Sequence, residues 1–126
     1  MGLVLLWSVA CSDSPAAPTE DAVEVRSASP ATTTVLTAGF EQTFTYIVRF
    51  TLTSNTAVAG LVLVPDGLLH LAEFSPVIPI GGGVTTATLT HRMFIPAGTR
   101  RLDVFIGLEA QDRIAQTSTT LTYQVQ

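Results

Sequence analysis

The chain of 126 residues contains one cysteine, no lysine and few charged residues of either sign. A single thiol, Cys11, excludes an intrachain disulfide. Charged residues make up 13% of the chain, about half of the usual share of about 25%, and 47% of the residues are hydrophobic. This balance argues against disorder and favours one well-buried domain. The sequence also lacks any sustained apolar spacing of three and four residues, the pattern that indicates helices.

The net charge is −4, from ten acidic residues against six arginines. A negative chain is repelled by phosphate backbones, so we expect no nucleic-acid partner. No basic amphipathic stretch indicates a helix that lies on a membrane surface. Threonine, in contrast, is abundant, with 19 copies. Its β-branched side chain suits the exposed face of a strand, which points to a β-protein.

The N-terminal segment LVLLWSVA, residues 3–10, is almost wholly apolar. It is too short to span a hydrocarbon core, which takes about 20 helical residues, but its length fits the apolar region of a signal peptide. Small residues end the segment directly before Cys11. The residues that follow, SDSPAAPTEDA, have the composition of a linker. We therefore predict a signal segment over 1–10, an attachment point and linker over 11–21, and a domain over 22–126.

The letters SVAC at Cys11 resemble the lipobox of bacterial lipoprotein signal peptides. Val9, Ala10 and Cys11 match that motif, whereas Ser8 stands where leucine is usual. Because no arginine or lysine precedes the apolar run, we expect the natural start to lie upstream. The resemblance implies that the nucleophilic Cys11 thiol receives a diacylglycerol group and anchors the protein in the bacterial cell envelope. Ser12, in place of aspartate, implies the outer membrane in a bacterium that has two.

Two other interpretations of Cys11 stay open. The segment can be an export signal without a lipid, or the cysteine can be a buried core thiol, since cysteine is among the residues most often buried.

Alternation of apolar and polar residues begins at Val23 and continues to Gln126. It predicts strands with one buried face. From Phe44 to Leu52 every second residue is apolar, and Ile47 is the only apolar residue among the outward positions between them. Turn residues separate the alternating segments. We predict strands near 22–28, 33–37, 41–53, 58–64, 68–74, 84–95, 101–110 and 115–125. Seven or eight strands at this spacing are typical of an all-β, antiparallel β-sandwich.

Three segments carry a resemblance to immunoglobulin-like and fibronectin type III-like modules: VEVRSASP, PAGTRRLDVFIGL and TSTTLTYQV. The resemblance covers residues 22–126 and implies a sandwich of two antiparallel sheets. The cysteine pair and core tryptophan of antibody domains are absent, since Trp7 lies in the signal segment.

No pattern indicates catalysis, a metal or a cofactor. Asp66, His70 and Glu73 lie close in sequence, but on a strand His70 and Glu73 would point to opposite faces. His91 interrupts an inward-facing set, and we expect it near a strand end with a hydrogen-bond partner. The glycines over 81–83 are followed by a predicted strand, without the lysine and the helix that follow a phosphate-binding loop. This excludes a phosphate loop and favours a hinge or a hairpin. We therefore expect the protein not to be an enzyme.

Alternation places Phe94 and Phe105 on the outward faces of their strands, and these two residues are the candidate ligand contacts. The alternative is that a β-bulge shifts the parity, or that the rings pack under a loop. The leading functional hypothesis is a non-catalytic envelope lipoprotein that displays one domain for protein interaction or envelope assembly. A carbohydrate-binding or adhesion module is the alternative, and a hydrolase would need a polar cleft that these residues do not supply.

Overall fold

The computed structural model describes residues 20–110 and 116–126. Cys11, the predicted signal segment and most of the predicted linker lie outside these residues. The predicted all-β, antiparallel class is confirmed, because the one helical element of the described part is a 3-10 turn over Leu69–Leu71. The strands are β1 (Ala22–Ser29), β2 (Glu41–Pro65), β3 (Glu73–Phe74), β4 (Ile78–Phe94), β5 (Arg101–Ala110) and β6 (Gln116–Gln124).

β2 is the central strand of a single hydrogen-bonded sheet. Its first half pairs with β1 on one side and with β4 on the other. Its second half pairs with the start of β4, with the short β3 and, on the opposite side, with β5. β6 extends the sheet beyond β5, and all of these pairings are antiparallel.

Two predicted turns are wrong, because the strands continue through them. Ser54 and Asn55 lie inside β2, and Gly81 to Gly83 lie inside β4. The register between the two strands shifts over Leu52–Thr56, opposite these glycines. Gly83 has a φ of +90°, and a Cβ on Gly82 would lie 2.8 Å from the carbonyl oxygen of Ser54. A bulge therefore lets both strands bend together where a turn was expected.

The bend brings inward side chains of the two halves of the sheet into contact. Tyr46, on the first half of β2, meets Tyr123 of β6, although those strands do not pair. The alternation had predicted this inward face correctly. The core consists of buried residues from four strands and the flanking segments: Phe44, Tyr46, Val48, Phe50, Leu52, Leu61, Leu63, Leu89, Met93, Ile95, Leu102, Val104, Ile106, Leu108, Tyr123 and Val125 among them.

Six strands are described in place of the seven or eight predicted. The segments 41–53 and 58–64 form one strand, and β4 begins at Ile78, before the predicted 84. The segment 33–37 makes only an isolated parallel bridge, Leu36 to Val125. The segment 68–74 is mostly the 3-10 turn, which follows the predicted turn at Asp66 and Gly67, both with positive φ.

Candidate functional site

A shallow trough crosses the outer face of the sheet formed by the second half of β2, β5 and β6. Its floor is a row of small residues: Gly60 lies opposite Gly107, and Gly107 lies opposite Ser118. Glycine has no side chain and serine has a small one, so this row of the outward face is lower than its surroundings. Two glycines paired across central strands weaken a sheet, so their use here leaves space above the backbone at a cost in stability.

One wall of the trough is an apolar row of three residues. Val62 of β2 lies between Phe74 of β3 and Phe105 of β5, and each pair is in register. Phe74 is 68% exposed, and Phe105 is half-buried. The opposite wall contains Val58 and its partner Glu109. Among the lining residues that the structure describes, the carboxylate of Glu109 is the only charge.

The trough is closed at the β3 side and open at the β6 side. A Cβ on Gly60 would lie 3.4 Å from Ser75 Oγ and from Val77 Cγ1, whereas a Cβ on Gly107 would meet no atom within 4 Å. Ser75 Oγ accepts a hydrogen bond from the backbone N–H of Leu61 at 2.8 Å, which fixes the closed end. The cavity has a volume of about 460 Å³, in the range of about 300–1,000 Å³ typical of ligand pockets.

The two predicted contact residues point outward but are not brought together. Phe105 is part of the trough wall. Phe94 lies opposite Glu41 at the far end of β2 and is 52% exposed. Sequence reasoning missed Phe74, because a two-residue strand gives no alternation. It also missed the paired glycines, since only the register shows that they are neighbours.

The polar residues singled out in the sequence form separate contacts. Asp66 Oδ1 accepts hydrogen bonds from the backbone N–H groups of Arg100 and Arg101, at 3.0 and 2.9 Å. His91 Nε2 donates to Glu73 Oε1 at 2.9 Å, which matches the expected hydrogen bond of His91. Within residues 20–110 and 116–126, no three histidine, cysteine or acidic side chains cluster as metal ligands do.

Among the described residues, the groups whose pKa values are clearly shifted are two core tyrosines outside the trough. Burial raises the pKa of the Tyr46 and Tyr123 phenols above the ordinary value of about 10. The hydrogen bond between them raises the pKa of Tyr46 further and lowers that of Tyr123. Both phenols therefore stay protonated and serve as hydrogen-bond donors.

In the part of the chain that the structure describes, no helix has the length and apolar character needed to cross a membrane. Comparison with protein-family models, with curated protein sequences and with solved structures finds no match for this chain.

Proposed function

We propose that the chain is a non-catalytic lipoprotein of the bacterial cell envelope, anchored through Cys11, whose β-domain binds another protein. The observation that carries this proposal is the trough: an apolar concave surface on an exposed sheet face. Binding sites are typically concave, with apolar walls and a few polar groups. The polar side chains of the lining are the hydroxyl groups of Ser75, Thr117 and Ser118 and the carboxylate of Glu109. This mixed lining favours a polypeptide surface over a highly charged substrate.

The strand order supports an immunoglobulin-like domain as the displayed module. In immunoglobulin-like sandwiches, strands A, B and E belong to one sheet and strands C, F and G to the other. The pairing of β1 and β4 with the first half of β2, and of β5 and β6 with its second half, has the same division. Such modules present their outer faces and edges to partners, which suits a domain on a tether.

The test is photo-crosslinking of the full-length protein in its own membrane, followed by identification of the captured protein. We expect one envelope protein to be captured by the wild type and lost in Phe74→Ala and Phe105→Ala. Phe94→Ala is the matched control, because Phe94 is also an exposed phenylalanine but lies outside the trough. Capture that is equal in all four proteins, or no capture, would contradict the proposal.

A carbohydrate-binding module is the second candidate, because Phe74 and Phe105 present two rings on one face across Val62. Sugar rings stack on such aromatic surfaces. A glycan array distinguishes the two functions: binding that disappears in Phe105→Ala but not in Phe94→Ala would favour the sugar, and no glycan signal together with the protein capture would favour the first candidate.

A further inference from the structure

We infer that the open edge of β6 and the trough form one binding site for an extended peptide strand that carries a large apolar side chain. This inference rests on the proposed function and names the chemistry of its partner. The backbone of β6 would supply the hydrogen bonds, and the trough would select the side chain, which is the division of roles in β-strand addition.

The hydrogen bonds at the end of β6 show which of its backbone N–H and C=O groups point away from β5. Gln124 O and Gln126 N form hydrogen bonds with Leu36, on the side away from β5, whereas Val125 N donates to Arg100 O. Because backbone groups alternate along a strand, those of Ser118, Thr120 and Thr122 also point away from β5.

These three residues are exposed, and no strand of the described part of the chain pairs with them on that side. A row of N–H and C=O groups without strand partners is a template for another strand.

Two of the other edge strands, β1 and β3, carry features that discourage strand addition. β1 has a bulge between Val25 and Ser27, and Glu24 and Arg26 place charges on it. β3 contains only two residues. β6 has none of these features, because residues 116–126 include no charge and no proline, and its ladder with β5 has no register shift. β4 is also an edge strand, because β2 is its only strand partner in the described part of the chain, but no residue of β4 lines the trough. β6 is therefore the long edge strand that also lines the trough, through Thr117 and Ser118.

The trough leads directly to this edge. Its floor row, Gly60, Gly107 and Ser118, runs across the strands, so a strand added to β6 would place a fourth residue in the same row. The backbone of that residue would lie about 4.8 Å from the backbone of Ser118 and about 10 Å from that of Gly107. A long side chain on it could lean across Ser118 toward Gly107. The open space above Gly107 would receive its apolar end.

A second copy of the chain fits this site poorly. The exposed outward residues that a second β6 would bring to the row are Ser118, Thr120, Thr122 and Gln124, all of which are polar and none of which suits an apolar trough. The charges of β5 do not restrict the partner, because Asp103 is already paired with Arg101 at 3.2 Å. The apolar wall of the trough, Val62, Phe74 and Phe105, does restrict it. The occupant is a strand with one leucine-, methionine- or phenylalanine-sized side chain.

The experiment is selection of random heptapeptides displayed on phage against the full-length protein in detergent micelles. Two variants test the two halves of the site: Gly107→Val fills the trough, and Thr120→Lys places a charge on the open edge. Thr88→Val and Thr88→Lys are the matched controls, since Thr88 is an exposed strand residue on the outer face of β4, away from the trough. Synthetic copies of the selected peptides are then titrated while backbone amide shifts are recorded.

We expect selected peptides to share one large apolar residue. Because the valine of Gly107→Val would occupy the trough, the apolar side chain of the peptide could no longer be buried there, and the Kd should rise about tenfold to a hundredfold. We expect a similar rise in Thr120→Lys and no change in the two Thr88 controls. Amide shifts should concentrate at Ser118, Thr120, Thr122 and Gly107.

The inference is overturned if no peptide is selected, if the selected peptides share no large apolar residue, if Gly107→Val binds as the wild type does, or if the shifts map to β1 or β4. Self-association that Thr120→Lys abolishes and Gly107→Val leaves intact would assign the edge to a second copy instead. An envelope protein that crosslinks equally to both variants would overturn this inference while leaving the proposed function standing.

Discussion

The hydroxyl of Tyr46 donates a hydrogen bond to the hydroxyl of Tyr123, with an oxygen–oxygen distance of 2.8 Å. The direction is fixed, because the one proton of the Tyr123 hydroxyl is donated to the carbonyl oxygen of Pro30 at 2.7 Å. This chain of two hydrogen bonds joins β2, β6 and the segment after β1 inside the core. The ring of Phe44 packs edge-on against Tyr123, with centroids 5.6 Å apart.

Replacing the two tyrosines by phenylalanine should have unequal effects. Tyr46→Phe removes one donor and leaves Tyr123 bonded to Pro30, so we expect a loss of about 1 kcal/mol in the free energy of unfolding. Tyr123→Phe removes the partner of the buried Tyr46 hydroxyl and of the partly buried Pro30 carbonyl, and should cost about 2–3 kcal/mol. Urea unfolding of both variants measures the difference. Equal losses would show that the hydrogen-bond direction is wrong.

The same pair predicts how stability depends on alkaline pH. Burial raises the pKa of both phenols in the folded chain, while in the unfolded chain they titrate near 10. Above about pH 10 the unfolded state therefore loses protons that the folded state keeps, and the free energy of unfolding falls as the pH rises. The slope approaches about 1.4 kcal/mol per pH unit for each tyrosine, and below about pH 9 the pair contributes no slope.

The composition of the chain leaves few other side chains that titrate in this pH range. The chain contains two tyrosines and no lysine, and arginine stays charged over this range. The control is the double variant with phenylalanine at Tyr46 and Tyr123. Its free energy of unfolding should stay level between about pH 9 and 11. A fall as steep as that of the wild type would assign the pH dependence to other groups.

The bend in β2 and β4 predicts a contrast between two glycines. Gly82→Ala forces a methyl group against the backbone carbonyl of Ser54, which cannot rotate away, and should destabilise the protein by about 1–3 kcal/mol. Gly107→Ala adds the same methyl group where no atom lies within 4 Å. Because alanine is also less costly than glycine in a strand, this variant should be neutral or more stable by up to about 1 kcal/mol.

Thermal or urea unfolding of the two variants side by side provides the measurement. A large loss in Gly107→Ala would mean that the trough floor is packed, and would also remove the basis for using that position to fill the trough. No loss in Gly82→Ala would mean that the two strands do not approach each other closely at the bend.

The bend also shows what the sequence could and could not predict. Alternation identified the inward faces, because burial of one side of a strand is a local, period-two pattern. Ser54-Asn55 and the glycines over 81–83 suggested turns, since the same residues serve turns and bulges alike. Which of the two forms depends on the partner strand. The trough likewise exists only through register, which sets Gly60 beside Gly107 and Phe74 beside Val62.

The proposed lipid anchor predicts a chemical difference that depends on one sulfur atom. Radiolabelled palmitate supplied to cells should enter the full-length protein and should be absent from Cys11→Ser, because serine lacks the thiolate that attacks the lipid donor. The variant should also leave the membrane fraction, since two or three acyl chains are what holds a protein of this kind on a bilayer.

A second variant separates recognition of the motif from the chemistry of the thiol. Ser8→Leu restores the residue that is usual at that position of the lipobox and keeps Cys11, so its labelling should equal or exceed that of the wild type. Equal labelling of the wild type and Cys11→Ser would mean that the acyl group is elsewhere. Absence of label from both the wild type and Ser8→Leu would contradict the lipid anchor. Removal of the segment before Cys11 in the secreted protein would then indicate an export signal without a lipid, and its retention would indicate a core thiol.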